Sequence, residues 1–263
     1  MTERVTLITG ASAGIGTELV RIFASKGHRV AIVARRADRL QALAAEIAGK
    51  GVGKGPGAPI VIPCDLEQAD AGETIEAALN AAGVEVEFVV NNAGFGLFGR
   101  AVELDRNEQL AMIAVNIRAL TDLSLRFADQ LIRNRGGLLN VASIAGFLPG
   151  PGMAVYYASK AYVLSFTEAL RGELGSKGVR VTALCPGPVP SEFQTRAGFE
   201  PGLDSAILNV SAPDVAEAAY RGLMTNKRAV LPGLGIKIVP FMLRLVPRGF
   251  ILSAVGRFQT RQR

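Results

Sequence analysis

Tyr156 and Lys160 stand four residues apart in the segment YYASK, at the start of a helical pattern. Residues at i and i+4 share one face of a helix, so the phenol and the ammonium are expected to lie side by side. A free phenol, with a pKa of about 10, is a poor acid–base group at neutral pH, and a nearby ammonium stabilises the phenolate. The spacing therefore predicts a proton-transfer centre at Tyr156, whereas Tyr157 lacks this relation to the lysine.

Ser143 precedes Tyr156 by thirteen residues and comes soon after a strand-like segment, Gly137–Val141. Its hydroxyl is positioned to hydrogen-bond a substrate oxygen. Such hydroxyls and such Tyr/Lys pairs are common in proteins, so each of them alone is more often structural. His28, the only histidine, lies in the turn before the second strand, and we expect it at the surface, on the end of the molecule away from this centre.

A glycine-rich turn, TGASAGIG at residues 9–16, follows the strand-like segment Val5–Thr9 and precedes a helical run at Thr17–Ser25. Glycines permit a tight turn and close approach of the backbone to a ligand, and the helix start presents free N–H groups and the positive end of its dipole. A glycine-rich turn alone also serves simple chain reversal. Its position after a first strand favours a cradle for the pyrophosphate of a dinucleotide.

Arg35 and Arg36 follow the second strand, where many NAD-binding folds place an acid that binds the ribose 2′-hydroxyl. A guanidinium suits a 2′-phosphate by its charge and bidentate geometry, whereas a carboxylate would repel it. The sequence favours NADP(H), with NAD(H) as the alternative; the competing interpretation is that both arginines are solvated at a helix start. Asp65, after the third strand, is expected at the adenine edge or as a helix N-cap.

Apolar, β-rich runs alternate with longer helical patterns along the chain. Near-continuous hydrophobic strands separated by helices are typical of a parallel sheet covered on both faces. We expect an α/β fold, a single-domain doubly wound parallel sheet (Rossmann fold) with helices on both faces and its ligand site at the carboxyl ends of the strands. The predicted strands are Val5–Thr9, Arg29–Ala34, Ile60–Pro63, Phe88–Val90, Gly137–Val141 and Arg180–Leu184.

The 263 residues carry a formal net charge of +6 that is unevenly distributed. Nine basic and no acidic residues follow Glu217, so residues 1–217 have a net charge of −3. A mildly acidic body argues against nucleic-acid binding. Cys64 and Cys185 lie far apart in apolar stretches, which predicts neither a disulfide framework nor a metal site. With no signal peptide and no long apolar run, a cytoplasmic protein is expected.

Six sequence blocks together resemble the short-chain dehydrogenase/reductase family, in an order and with spacings that agree across about residues 4–193. The joint signal is strong where each part alone is weak. The resemblance implies an oxidoreductase that moves a hydride between a nicotinamide and a carbonyl or secondary alcohol. The blocks are TGASAGIG at 9–16, NNAG at 91–94, Asn116 within VNIRAL, Ser143, YYASK at 156–160 and PGPV at 186–189.

The resemblance also implies individual roles. Tyr156 would be the general acid in reduction and the base in oxidation, Ser143 would orient and polarise the carbonyl, and Lys160 would lower the tyrosine pKa and reach the cofactor ribose. Asn116 would hold a water that links Lys160 to solvent. Cofactor contacts are expected from Gly10, Ser12, Ala13, Gly14, Ile15, Gly16, Arg35, Arg36, Asp65, Leu66, Asn92, Ala93, Gly94, Val115, Tyr156, Lys160, Pro186, Gly187, Val189 and Ser191.

Two positions depart from the family pattern. Ser191 stands where threonine is common, which keeps the hydroxyl, and Pro190 before it is expected to stiffen the loop. Ala13 stands where many NADP-dependent relatives have a basic residue. The 2′-phosphate would therefore depend on Arg35 and Arg36.

Apolar side chains are concentrated in the segments expected around the nicotinamide. They favour a lipophilic ketone, aldehyde or alcohol in a pocket with a mobile lid at about residues 190–212. Phenylalanines in loops equally often pack beneath those loops. The side chains concerned include Phe95, Leu97, Phe98, Phe147, Leu148, Met153, Phe193 and Phe199.

The basic, apolar segment 230–263 extends beyond the resemblance, and we expect it to pack on a catalytic domain formed by residues 1–229. Pro240 and Pro247 divide it into short pieces, which argues against a membrane-spanning helix. A subunit contact, a cap over the pocket, peripheral contact with an anionic membrane and a solvated helix pair all stay open. The resemblance itself implies a homodimer or homotetramer built on helices at about 107–134 and 156–176.

A catalytically silent dinucleotide-binding regulatory or scaffold protein is the main alternative, because a fold alone does not establish a function. Such a protein would be free to lose Tyr156 or Lys160. This chain retains both, together with Ser143 and Asn116, which favours the enzyme.

Overall fold

A parallel sheet forms the centre of the computed structural model, which describes residues 2–49, 57–190, 192–198, 210–233, 243 and 246–260. Seven strands of this described part pair in parallel, in the order β3-β2-β1-β4-β5-β6-β7, which confirms the predicted doubly wound α/β fold. The strands are β1 Glu3–Thr9, β2 Val30–Ala34, β3 Ile60–Pro63, β4 Val84–Asn91, β5 Gly137–Val141, β6 Arg180–Leu184 and β7 Ala229–Val230.

Helices connect these strands, and two irregular segments stand among them. A π-helical segment, Ala114–Ala119, joins α4 to α5, and a 3-10 turn, Ile144–Phe147, precedes α7. The helices are α1 Gly14–Ser25, α2 Ala37–Gly49, α3 Ala71–Ala81, α4 Arg106–Ile113, α5 Leu120–Arg126, α6 Ala128–Arg133, α7 Ala154–Gly175, α8 Glu192–Ala197, α9 Ala212–Met224 and α10 Arg248–Thr260.

The sheet separates two apolar layers, because successive side chains of a strand point to opposite faces. Leu7 of β1 packs with Phe127 in one buried cluster. Its neighbour Ile8 packs with Phe23 of α1 and Leu223 of α9 in the other. All five side chains are fully buried, so helices on both faces are held to the sheet by the near-continuous hydrophobic character of its strands.

The sheet reverses its winding direction beside β1, since β2 and β3 lie on one side of it and β4 to β7 on the other. Loops that leave neighbouring strands at such a point diverge and open a crevice at the carboxyl ends. The hydroxyl of Thr9, the last residue of β1, accepts hydrogen bonds from the backbone N–H groups of Asn92 at 3.0 Å and Ala93 at 3.1 Å. This side chain joins the loops after β1 and β4 at the crevice.

Several elements differ from the predicted ones: β1 begins at Glu3 rather than Val5, and β2 at Val30 rather than Arg29. β4 spans Val84–Asn91 rather than Phe88–Val90, because Glu85 and Glu87 interrupt the apolar run of a strand whose outer end is partly exposed. Helix α1 begins at Gly14, inside the glycine-rich turn. The edge strand β7 has two residues, Ala229–Val230, which is too short to produce a recognisable pattern.

The expectation that His28 lies at the surface is wrong. The imidazole is half-buried and packs edge-on against the rings of Phe23 and Phe88, with centroid distances of 5.3 and 5.2 Å. Its Nε2 lies 3.2 Å from the hydroxyl of Tyr220. Burial lowers the pKa of His28, so this residue belongs to an aromatic cluster at the amino end of β2.

The described part of the C-terminal segment approaches the loop that precedes α7. Ile251 of α10 is buried, and a methyl group on Gly256 would lie 3.8 Å from Pro151. Phe250, by contrast, is 73% exposed. In the described part of the chain no helix is long and apolar enough to cross a membrane. The division into residues 1–229 and an extension at 230–263 stays a prediction.

Candidate active site

Asn116 lies in the π-helical segment between α4 and α5, and its side chain fastens two other parts of the site. Its Oδ1 accepts from the backbone N–H of Phe95 at 3.1 Å, and its Nδ2 donates to the Phe95 carbonyl at 3.0 Å. The same Nδ2 group lies 3.1 Å from the hydroxyl of Ser159. Single π turns often occur at functional sites, and this one turns a buried amide toward the loop after β4 and toward α7.

Tyr156 and Lys160 lie on the first turns of α7, next to the end of β5. The Lys160 ammonium is buried, donates a hydrogen bond of 2.8 Å to the carbonyl of Val141, and lies 5.8 Å from the centroid of the Tyr156 ring. A methyl group on Gly94 would come within 3.0 Å of Asn116 Oδ1 and 3.4 Å of Lys160 Nζ. The absence of a side chain at Gly94 thus lets these two polar groups approach the backbone of the loop after β4.

Burial sets the protonation of both groups of this pair. It raises the pKa of Tyr156 to about 12, while a hydrogen bond with Ser143 acts in the lowering direction. Burial also lowers the pKa of Lys160 to about 8. At neutral pH the phenol therefore keeps its proton and the amine keeps its charge. The lowering of the tyrosine pKa by Lys160, implied by the resemblance, stays a prediction.

Ser143 follows β5 and precedes the 3-10 turn. Its hydroxyl accepts a hydrogen bond of 3.1 Å from the backbone N–H of Ala145. The next residue, Ile144, donates its N–H to the carbonyl of Pro186 at 3.0 Å, which ties this turn to the loop after β6. With Ser143 interacting with Tyr156, the two hydroxyls can both donate to one substrate oxygen.

The glycine-rich turn has the features that a pyrophosphate requires. Gly10 and Gly14 have φ values of +67° and +54°, and a methyl group on Gly16 would stand 2.1 Å from the Gly10 carbonyl oxygen. Helix α1 starts after an extended Ala13, with no side-chain cap and no acidic residue in its first turn. Its first N–H groups thus have no side-chain acceptor, and they fit a bound phosphate.

The two arginines after β2 differ in their surroundings. Arg36 lies against the glycine-rich turn, with Nη2 3.1 Å from the hydroxyl and 3.3 Å from the carbonyl of Ser12. Arg35 donates instead to Glu67 at 3.2 Å. The structure therefore brings Arg36, rather than Arg35, into direct contact with the predicted phosphate site.

Asp65 forms a turn rather than a helix N-cap, which corrects one of the two expectations for this residue. Its Oδ1 accepts from the backbone N–H of Glu67 at 3.0 Å, whereas the residue before α3 is Asp70. The adenine-edge role stays a prediction. Among the other predicted cofactor residues, Leu66, Val115 and Val189 are buried, Pro186 and Gly187 lie in the loop after β6, and Ser191 lies outside the described residues.

Apolar side chains surround the reactive face of Tyr156. A methyl group on Gly96 would come within 3.0 Å of the Phe193 ring, 3.1 Å of the Met153 methyl and 3.2 Å of the Tyr156 ring. The Phe193 and Tyr156 ring centroids are 5.4 Å apart. The loop after β4, the residue before α7 and Phe193 of α8 therefore meet at the tyrosine, while Phe199 lies outside the described residues.

The predicted site residues did not include Ser159, Glu192 or Arg39. The Ser159 hydroxyl donates to the Tyr156 carbonyl at 2.7 Å and connects it to Asn116; its position between Tyr156 and Lys160 was the only available signal. Glu192 of α8 accepts from Arg36 at 2.8 Å and also from Arg39. No local pattern could reveal a pair that is 156 residues apart in the sequence.

Comparisons with known proteins identify the family of this chain. The family model described as short chain dehydrogenase matches residues 4–200. An uncharacterized oxidoreductase of Myxococcus xanthus is 38% identical over 263 residues, covering 98% of this chain and 99% of the relative. Serine 3-dehydrogenase of Agrobacterium fabrum is 34% identical over 220 residues, covering 81% of this chain and 85% of the relative.

The solved structures include chains of similar fold. A short-chain dehydrogenase from Sphingobium yanoikuyae in complex with NADPH superimposes with a TM-score of 0.81, at 30% identity and with 94% of both chains covered. The match of the family model extends over well more than half of the sequence and includes every candidate catalytic residue described above. The chain therefore belongs to the short-chain dehydrogenase/reductase family of oxidoreductases.

Proposed function

We propose that this protein is an NADP(H)-dependent oxidoreductase that interconverts a carbonyl compound and the corresponding alcohol. The observation that carries the proposal is the convergence of Tyr156, Ser143 and the buried Lys160 at the carboxyl end of β5, beside Gly94. Bound NADPH would supply the hydride. A silent scaffold or sensor needs the glycine-rich turn, but it has no use for these three converging side chains.

Tyr156 supplies the proton in the reducing direction. The carbonyl oxygen accepts hydrogen bonds from Ser143 and Tyr156, and the phenol transfers its proton as negative charge develops on that oxygen. A pKa raised to about 12 keeps the phenol protonated at neutral pH, which suits the role of an acid. For oxidation the tyrosine must first lose this proton, and the Lys160 ammonium then stabilises the phenolate. Asn116, fixed beside Gly94, is the proposed holder of a water that returns protons to Lys160.

We predict that Tyr156→Phe lowers kcat/KM by at least about 100-fold, because general acid catalysis contributes on this scale. Binding of NADPH, measured by fluorescence titration, should change less than about twofold, since the substitution removes one hydroxyl. Tyr157→Phe is the matched control, with the same change on the adjacent residue, and should keep its activity. Full activity of the Tyr156 variant would contradict this mechanism.

Preference for NADP(H) is supported by the position of Arg36, whose guanidinium lies against Ser12 of the glycine-rich turn. Solved relatives contain NADPH in some cases and NADH or NAD in others, so membership of the family leaves this choice open. In the described part of the chain the first residues after β2, Arg35 and Arg36, are both cationic and would not repel a phosphate.

We predict that kcat/KM with NADPH exceeds that with NADH by about tenfold or more, and that Arg36→Gln removes most of this difference, because a hydrogen bond between charged groups contributes about 1.5–3 kcal/mol. The measurement is cofactor oxidation at a fixed carbonyl concentration. Arg100→Gln, which removes an exposed arginine paired with Glu103, is the control. An unaltered ratio in the Arg36 variant would contradict the assignment.

A lipophilic substrate is supported by the apolar surroundings of Tyr156, where Phe193 and Met153 meet beside Gly96. The relatives' names include a serine dehydrogenase, a sulfoacetaldehyde reductase and an alcohol dehydrogenase specific for bulky ketones, so the family accepts both small polar and large apolar compounds. The choice in this chain depends on its own pocket. The proposed lid at 190–212 begins with α8, which carries Phe193.

We predict that aldehydes, ketones and steroids with large apolar groups have higher kcat/KM values than small polar carbonyls in an NADPH-oxidation screen that also includes acyl thioesters. Phe193→Ala should lower kcat/KM for the best apolar substrate by about tenfold, the scale of a lost apolar contact in a pocket. Val102→Ala, at a residue that is 86% exposed, should have little effect. A strong preference for small polar carbonyls would overturn the proposal.

For the C-terminal segment we propose a role as a cap at the substrate side, supported by the approach of Gly256 in α10 to Pro151. A subunit contact and contact with an anionic membrane are the alternatives. Exposed Leu110, Leu125 and Tyr162 on α4, α5 and α7 support a homodimer or homotetramer that does not require this segment. A cytoplasmic location stays a prediction.

We predict that removal of residues 236–263 raises KM for the best apolar substrate several-fold, because a cap excludes water from the pocket. Light scattering should give the same oligomeric state for both chains, and circular dichroism checks that the shortened chain is folded. Sedimentation with anionic vesicles provides the third measurement. Vesicle binding that disappears on truncation would favour the membrane alternative, and a change of oligomeric state would favour the subunit contact.

A further inference from the structure

One carboxylate from α8 bridges two arginines at the start of α2. Glu192 accepts from Nη1 of Arg36 at 2.8 Å and from Nη1 of Arg39. Arg36 simultaneously donates to Ser12 in the glycine-rich turn at 3.1 Å. The two arginine side chains are 39% and 45% exposed, and that of Glu192 is 52% exposed. The bridge is therefore open to solvent at the edge of the cofactor crevice.

Arg36 and Arg39 lie at a position where a nearby anion is favourable. Arg36 immediately precedes α2, and Arg39 lies in its first turn, where the positive end of the helix dipole disfavours added positive charge. Hydrogen bonds to both arginines lower the pKa of Glu192, so the bridging group is an anion at neutral pH. The pair of guanidinium groups binds one carboxylate and presents the donor geometry that also suits a phosphate monoester.

Arg35 is engaged elsewhere, which separates it from this pair. Its guanidinium donates to Glu67 at 3.2 Å, and Arg196 lies 4.0 Å from the same carboxylate. Arg39, by contrast, shares its acceptor with Arg36 although it was not predicted to bind the cofactor. The cations that meet at Glu192 are thus Arg36, which also contacts the glycine-rich turn, and Arg39.

We propose that Arg36 and Arg39 together form the site for the cofactor 2′-phosphate, and that Glu192 occupies this site until the phosphate displaces it. The inference rests on the proposed preference for NADP(H). Exposed ion pairs are individually weak, so a phosphate with up to two negative charges and three acceptor oxygens can replace the carboxylate. Arg39 and Glu192 are then residues that determine cofactor specificity.

The exchange links the cofactor to helix α8. Glu192 is the first residue of α8, and Phe193 beside it packs 5.4 Å from Tyr156. A 2′-phosphate releases the start of α8 from α2, whereas the 2′-hydroxyl of NAD(H) is a poor competitor for two guanidinium groups and leaves the bridge intact. The two cofactors should therefore leave α8 in different states.

The test uses two fragments, adenosine 2′,5′-bisphosphate and adenosine 5′-monophosphate, which differ only in the 2′-phosphate, and isothermal titration with the full-length protein. Glu192→Gln keeps the side-chain size and removes the charge. We expect it to tighten binding of the bisphosphate by about 3- to 10-fold, since it removes two exposed ion pairs and the repulsion of the phosphate. Binding of the monophosphate should stay within about twofold of wild type.

Two further variants test the role of Arg39 and the general effect of removing a surface carboxylate. Arg39→Gln should weaken binding of the bisphosphate by about tenfold, the effect of a lost charge-assisted hydrogen bond, and leave the monophosphate unaffected. Glu168→Gln is the matched control, because it also removes an exposed carboxylate paired with an arginine, Arg228, at 2.6 Å. It should behave like wild type with both fragments.

Hydrogen exchange of residues 192–198 gives a readout that does not depend on affinity. In the wild type, saturating bisphosphate should accelerate exchange in this segment, and saturating monophosphate should not. In Glu192→Gln the exchange should be fast without any ligand. Each of these variants concerns exposed side chains, and thermal denaturation checks that the fold is kept.

The outcomes separate the two proposals. If wild type and Arg36→Gln bind both fragments equally well, the NADP(H) preference itself is wrong, and this inference fails with it. If wild type prefers the bisphosphate, but Glu192→Gln and Arg39→Gln leave that preference unchanged, the exchange is wrong while the cofactor assignment stands. Equal tightening of both fragments by Glu192→Gln would indicate a general charge effect and would also overturn the exchange.

Discussion

The hydrogen bond from the Lys160 ammonium to the Val141 carbonyl, 2.8 Å long, fixes the geometry of the active site. A buried cation is costly without a partner, and this one meets the last residue of β5. The contact anchors the second turn of α7 at the carboxyl end of the sheet. Tyr156 lies one turn earlier on the same helix face, and Ser143 comes two residues after the strand end, so the three groups proposed to act on the substrate are positioned relative to the end of β5.

The same burial leaves both groups of the pair in their protonated forms at neutral pH. It raises the pKa of Tyr156 to about 12 and lowers that of Lys160 to about 8. At neutral pH the Tyr156 phenol is therefore protonated. The Lys160 amine is also protonated, but its lowered pKa of about 8 lies close to neutral pH. Burial makes the charged phenolate costly, so an interaction that stabilises it must overcome a large desolvation cost. Release of the proton therefore depends on neighbouring groups that the protein holds in fixed positions. Asn116, which is hydrogen-bonded to Phe95 and Ser159, is one of these neighbouring groups.

How much the sequence reveals depends on the range of each interaction. The i and i+4 spacing of Tyr156 and Lys160 and the glycine-rich turn are local, and the structure reproduces both. The ends of β4 were missed because Glu85 and Glu87 interrupt the apolar run of a strand that is only partly buried there. Glu192 is 156 residues from Arg36, and its pairing with that residue depends on where the loop after β6 lies, which no local pattern encodes. The sequence also could not show which of Arg35 and Arg36 contacts the glycine-rich turn, because Arg35 instead donates to Glu67, a residue distant in the sequence.

The distribution of charge around the glycine-rich turn affects how the site can distinguish one dinucleotide from another. The body of the protein is mildly acidic, and the arginines near the glycine-rich turn share carboxylates of the protein. Arg36 and Arg39 both donate to Glu192, and Arg35 donates to Glu67. These carboxylates offset part of the positive charge of the arginines, and salt screens the rest beyond a Debye length of about 8–10 Å, so long-range attraction of an anionic dinucleotide is weak. Discrimination must then arise at contact, from the difference between a phosphate and a carboxylate on the same guanidinium groups. The specificity of this site would consequently depend on the difference in binding between two anions at the same arginines, the cofactor phosphate and the carboxylate of Glu192.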